Sequence, residues 1–237
     1  MRSGIKLVFA ASIALLLLPG QAAPAAPAAQ KDLKEVLNQL DAAAANFRST
    51  SANFEFDTVQ TDPVYDKDVQ QGTVYYKRNG KAFQMAAHIR EENGKPVPKY
   101  LTYSGGKVML YDKLTNQVHV KDAAKYESYL LLGFGASGRE LADKWEIKYL
   151  GSEALADGNT SVDTEKLELV AKDPDVLKLF PKVIIWVDPT RAVSLKQFFD
   201  EGQGQNRTCF YFNIKVNQRL RDSDFTFKTD NQTQYSK

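Results

Sequence analysis

Two histidines, one cysteine, a glycine-rich run and a misplaced arginine are the residues of this chain whose types could do chemistry. His88 and His119 are the only histidines. They stand in separate strand-like runs with no second ligand at metal spacing, so no metal centre is expected. Cys209, the only cysteine, sits beside Phe210 and reads as a small core residue; a single thiol cannot form an internal disulfide. No serine lies in a G-x-S-x-G elbow. Gly133-Phe134-Gly135-Ala136-Ser137-Gly138 matches G-x-G-x-x-G, with Glu153 further along the chain. A dinucleotide would need a strand before the glycines, a helix after them and a parallel βαβ unit around them. Here the helical pattern Tyr129-Leu130-Leu131-Leu132 precedes them. The run reads instead as a hinge between short helices, with Leu130, Leu131, Leu132 and Phe134 as apolar contacts for core or cargo. No cofactor and no catalytic set are expected.

Arg78 is the anomaly. Gly72 to Arg78, the pair Asn79-Gly80, and Ala82 to Met85 read as strand, tight turn, strand. Alternation puts Arg78 on one face with Val74 and Tyr76, and Lys77 on the other with Thr73 and Tyr75. One of the two cations therefore shares the face the sheet buries. By itself Arg78 is either a solvated strand-end cation or an inward guanidinium hydrogen-bonded to a covering helix or loop.

The elements that must position these residues follow from periodicity. Leu33, Val36, Leu37, Leu40, Ala44 and Phe47 recur at three and four, giving an amphipathic helix over 31–48. Strands are expected at 52–60, 69–78, 81–91, 98–104, 106–112 and 115–120, joined by connections too short for parallel crossovers. Helical patterns at 125–132 and 139–145 flank the glycine loop. Strands resume at 146–151, 161–172, 182–188, 192–201, 206–215 and 222–228, with a one-turn helix at 174–179. The expected fold is α+β and mainly β: one curved antiparallel sheet of about eleven strands, an unclosed half-barrel. One long helix and short lid helices are too few to cover its apolar face fully, which favours a cavity.

The N-terminus has a basic start (Arg2, Lys6), an apolar run from Leu7 to Leu18 and the small residues of Pro19 to Ala29. That is the pattern of a secretory signal peptide, 1–23, with cleavage after Ala23 or as late as Ala29. The apolar run is shorter than the roughly 20 residues a spanning helix needs. Residues 24–30 would be a lead-in, 31–228 one domain and 229–237 a tail. No cysteine stands in the small-residue stretch just after the apolar run, so a soluble periplasmic protein that is not itself lipidated is expected. The chain carries 31 Lys and Arg against 29 Asp and Glu. Loss of Arg2 and Lys6 would leave a neutral domain, a poor match for nucleic acid.

The sequence resembles the LolA-like family of periplasmic outer-membrane lipoprotein carriers over 31–228. The likeness rests on Phe47-Arg48-Ser49 with Ala52-x-Phe54, on Gly72-x-Val74-Tyr75-Tyr76-Lys77-Arg78 with Phe83, and on Tyr103-x-Gly105-Gly106-Lys107-Val108-x-Leu110-Tyr111-Asp112. Trp186-x-Asp188, and Asn217 before Phe225-x-Phe227, complete it. Asn79 stands where the family motif has proline, and Gly105 where it has aspartate. The resemblance implies a monomeric, non-enzymatic carrier with a lidded apolar cavity for acyl chains, and it makes Arg78 the lid latch. Cavity and lid would be formed by Arg78, Val74, Tyr76, Phe83, Leu110, Leu130, Leu131, Phe134 and Trp186. Implied partners are an acylated lipoprotein or lipid cargo, an inner-membrane lipoprotein-releasing transporter and an outer-membrane acceptor. A sensor of lipid or mislocalised lipoprotein is the alternative, and a hydrolase the third choice.

Overall fold

Asp32 caps the first helix, α1 (Leu33–Ala45): its carboxylate accepts the Glu35 N–H at 2.8 Å. Val36 and Leu40 form its buried stripe. The helix stops short of the periodic pattern because Phe47 enters the core after a turn in which Asn46 and Phe47 donate to the carbonyls of Ala43 and Ala44. The structure, a computed structural model, describes residues 32–80, 82–130 and 132–236. The expected leader and lead-in, and Leu131, lie outside the described residues.

After α1 the chain meanders through β1 (Ser49–Gln60), β2 (Asp66–Asn79), β3 (Ala82–Glu92), β4 (Lys95–Ser104), β5 (Lys107–Asp112) and β6 (Gln117–Asp122). A 3-10 turn, Ala124–Tyr126, leads to α2 (Glu127–Leu130) and α3 (Gly138–Lys144). A second meander follows: β7 (Trp145–Asp157), β8 (Thr160–Ala171), the one-turn helix α4 (Pro174–Leu179), β9 (Lys182–Asp188), β10 (Val193–Gly202) and β11 (Gln205–Val216). Pairing of β11 with β1 joins the two meanders into one sheet, which with a last short strand, β12 (Gln234–Ser236), is ordered β12-β6-β5-β4-β3-β2-β1-β11-β10-β9-β8-β7. The sheet is mainly antiparallel and not closed into a barrel, as its sequence suggests. It curls enough for Asp157, at the end of β7, to accept the Ile214 N–H of β11 at 2.9 Å.

Two details depart from the sequence-based expectation. The sheet has twelve strands, because the short β12 (Gln234–Ser236) adds to β6 in parallel. The segment 222–228 is not a strand: Asp222–Phe225 is a 3-10 turn. Its aromatic alternation is satisfied by ring packing on the outer face, Phe225 against Tyr75 and Phe227 against Tyr100 and Tyr111.

The inner face of the sheet carries two adjoining apolar clusters. Val36, Leu40, Leu141, Leu167, Leu169, Val183 and Ile185 belong to one, under α1, α3 and α4. Phe54, Val74, Tyr76, Met85, Tyr103, Leu195 and Tyr211 belong to the other. Among the described residues no helix is long and apolar enough to cross a membrane.

Candidate functional site

β2 decides which cation faces inward. Val74 and Tyr76 are buried in the inner cluster, and antiparallel pairing sets Arg78 opposite the equally buried Phe83. Lys77 points to the other face, where its ammonium lies 3.5 Å from Asp222. Arg78 thus stands at the rim of the inner face. Its partner there is a carboxylate, not the backbone carbonyls that burial alone would suggest: Nη1 is 3.4 Å from Oε1 of Glu140 in α3. Glu140 also accepts the Ser137 N–H at 2.9 Å in a capping box that starts α3. Burial pushes the Glu140 carboxyl up, but the Ser137 N–H and the Arg78 guanidinium outweigh it and hold the group below the usual glutamate range.

The glycine-rich run lies inside the half-barrel. Residues 132–136 are all buried, and Phe134 is only 1% exposed. Its ring stacks on Tyr76, with centroids 4.2 Å apart, and meets Tyr211 edge-on at 4.7 Å. Main-chain bonds hold it: Ser194 N–H donates to the Gly133 carbonyl at 2.6 Å, and Gly135 N–H to the Ala192 carbonyl at 2.8 Å. These form an isolated antiparallel bridge between Phe134 and Val193. From the wall, the buried Gln197 amide donates to the Leu132 carbonyl at 2.6 Å and accepts the Tyr211 hydroxyl at 3.1 Å. Both flanking glycines are required. Gly133 (φ 80°) and Gly135 (φ 71°) adopt left-handed backbone, and a Cβ would collide with the Ser194 hydroxyl in the first case and the Phe47 ring in the second. The run is a plug.

The other expected residues divide. Phe83 stacks on Tyr103 at 4.7 Å, and Leu130 packs against the same cluster. Leu110 is half-buried and pairs with Leu101, which packs on that cluster. Trp186 is not brought together with these. It lies on the outer face between Lys166 and Lys196, whose ammoniums sit 4.7 and 4.4 Å from its ring, and its Nε1 donates to Glu153 at 2.7 Å. Three residues that matter here, Glu140, Gln197 and Tyr211, were not singled out from sequence. Inward alternation in β10 and β11 was the available signal for the last two.

The interior is chemically quiet. Burial pushes the Cys209 thiol up to about 12 and the Tyr76 and Tyr211 hydroxyls well above their usual range, so all three stay neutral. Glu165 is a buried acid, 1% exposed, and it accepts hydrogen bonds from the Tyr149 and Ser152 hydroxyls at 2.7 Å each. His88 lies on the outer face between the rings of Tyr75 and Tyr100, and His119 Nδ1 is 2.6 Å from Ser236 Oγ. Among the described residues no group of three or more His, Cys, Asp or Glu could hold a metal ion. Outside the plug, a groove of about 590 Å³ runs beside α3, lined by Glu140, Leu141, Lys144, Trp145, Ala171 and Val176.

No family profile matches the chain, and no curated protein matches it. Solved structures do. An uncharacterized conserved protein from Thermus thermophilus is similar at 12% identity, with 86% of this chain and 97% of that one covered and a TM-score of 0.51. A chain of the Pseudomonas aeruginosa MucA/MucB complex is similar at 11% identity and a TM-score of 0.50; 84% of this chain matches 62% of that one, less than two thirds of its length. A LolA superfamily protein from Nitrosomonas europaea is similar at 17% identity over 84% of this chain and 99% of that one, with a TM-score of 0.40. The first two share this fold.

Proposed function

We propose that this chain is a non-enzymatic periplasmic carrier that shields the acyl chains of lipoproteins, or related lipids, and moves them towards the outer membrane. The observation that carries the reading is the plug: Phe134 occupies the centre of an apolar interior on a segment bounded by two left-handed glycines. A segment of the chain outside the sheet fills that space with a ring held by a few hydrogen bonds, and an acyl chain is a suitable replacement. Each CH₂ removed from water contributes roughly 0.8 kcal/mol, so an acylated protein needs such shielding to cross an aqueous compartment. Competition from the plug keeps that affinity reversible.

On this reading Arg78 and Glu140 latch the lid, and Val74, Tyr76, Phe83, Leu110, Leu130 and Phe134 line the space it closes. The leader at 1–23 exports the chain, and 31–228 is the carrier domain. An inner-membrane lipoprotein-releasing transporter would load it and an outer-membrane acceptor would unload it. Mass spectrometry of material co-purifying from a periplasmic extract tests the proposal. Acylated protein or lipid at close to one per chain is expected; a clean apo protein under conditions that retain lipid would count against it.

A second reading, a binding module that reports on lipid or mislocalised lipoprotein, is favoured by the fold shared with the chain of the MucA/MucB complex. It predicts a stable complex with a membrane-anchored protein partner instead of net transfer of cargo between membranes.

A further inference from the structure

The plug is held through a gap in the sheet. β10 pairs with β9 up to Val193, opposite Asp188, but its pairing with β11 stops at Lys196, opposite Phe210. A bulge between Ser194 and Lys196 turns the strand away at this point. The edge of Ala192–Ser194 that would otherwise face β11 is taken by residues 133–135, bonded through Ser194 N–H, the Ala192 carbonyl and, one step on, the Gln197 amide. The plug meets all three with main-chain groups: the carbonyls of Leu132 and Gly133 and the N–H of Gly135.

When the plug leaves, two donors and one acceptor remain beside an apolar cluster that includes Phe54, Val74, Tyr76 and Leu195. A hydrocarbon chain satisfies none of them, and a buried polar group left without a partner weakens binding. Ester carbonyls of a phospholipid could accept from Ser194 and Gln197 but have nothing to donate to Ala192. An extended peptide offers both kinds of group at strand spacing. The space also constrains it. A Cβ on Gly133 would collide with Ser194 Oγ and crowd Gln197 Nε2, and one on Gly135 would collide with Phe47.

We propose that the Ala192–Ser194 edge, with Gln197, is a peptide-recognition notch. It takes the extended, glycine-rich segment next to an acyl chain when the plug withdraws, so that cargo is read by its backbone as well as by its lipid. This rests on the carrier reading of the same interior and sharpens it to acylated peptide over free lipid.

Three probes test it: palmitic acid, palmitoyl-tetraglycine amide and palmitoyl-tetrasarcosine amide, whose backbone nitrogens are methylated. Affinities are measured by titration, and hydrogen exchange of the Ser194 amide is followed by NMR. The tetraglycine probe is expected to bind about tenfold more tightly than the other two, the size of one to two net hydrogen bonds. Ser194 should be protected in the free protein and with that probe, and exchange fast with palmitic acid. Equal affinities overturn the notch while leaving the carrier reading standing. So does tighter tetraglycine binding with Ser194 exchanging as fast as with palmitic acid. Failure of all three to bind refutes the carrier reading and the notch with it.

Discussion

Phe134→Ala separates a plug from an ordinary core residue. Phe134 is 1% exposed, stacks on Tyr76 and meets Tyr211 edge-on. Burying a phenylalanine side chain contributes about 1.5–3 kcal/mol, and each aromatic pair adds about 0.5–1.5 kcal/mol. Truncation of a residue so placed should lower stability by about 3–5 kcal/mol. For a core residue that is the whole effect, and ligand binding is unchanged or damaged. For a plug the lost contacts belong to the closed state alone, so the same energy reappears in ligand affinity. Around 3 kcal/mol corresponds to an affinity gain on the order of a hundredfold, less whatever the closed state recovers by relaxation. The assay pairs urea unfolding with titration of a fluorescent fatty acid. The variant should unfold at lower urea, bind the fatty acid ten- to hundredfold more tightly by the same order-of-magnitude argument, and regain stability when it is added. Lower stability with unchanged or weaker affinity would refute the plug.

The latch should behave differently. Side-chain exposures of 22% for Arg78 and 54% for Glu140 make their ion pair worth at most about 1 kcal/mol. Arg78→Leu should therefore leave the unfolding midpoint nearly unchanged and permit loading, but slow release to an acceptor membrane in a reconstituted transfer assay. Normal delivery would remove Arg78 from the mechanism. A carboxylate held below its ordinary value stabilises the closed lid at pH above that value, 4.5, and loses the contribution as pH falls through its lowered one. Exchange of the Gly135 amide should quicken as pH falls below the ordinary value, after correction for intrinsic rates, and Glu140→Gln should flatten that profile. Gln197→Leu removes the amide that the buried Leu132 carbonyl and Tyr211 hydroxyl share. It should cost about 1–3 kcal/mol of stability in denaturant titration and loosen the plug, seen as tighter fatty-acid binding. Arg191 bridges the buried Asp157 and Asp188 at 2.8 and 2.6 Å. Arg191→Met should destabilise the chain by about 3–5 kcal/mol, because it leaves two buried carboxylates without their cation. A change below about 1 kcal/mol would show that the bridge is not what holds the end of β7 to the end of β9.

Alternation made the sheet readable. Short turns and strict period two fixed which strands are neighbours, and they placed Arg78 on the face of Val74 and Tyr76. The same reasoning gave no face to Trp186, because Val183-Ile184-Ile185-Trp186-Val187 is apolar throughout. Trp186 is buried on the outer side by lysine stems, which a pattern of apolar and polar letters does not reveal. Phe225-x-Phe227 looked like a strand because packing rings against an outer face uses the same alternation as pairing. The latch partner was beyond reach for another reason. Glu140 lies 62 residues from Arg78, and only the curl of the sheet and the position of α3 bring them together. The glycine run was legible only as the connection between two short helices, α2 and α3. Its role as a plug depends on the gap between β10 and β11, which arises from one bulge and has no signature in composition.

A structure of the protein with a bound acyl ligand tests the central claim most directly. The acyl chain should lie between Tyr76 and Tyr211, in the space Phe134 fills, with the plug withdrawn from Val193 and the Arg78–Glu140 pair parted. An acyl chain seated in the outer groove beside Trp145, with Phe134 still stacked on Tyr76, would contradict it.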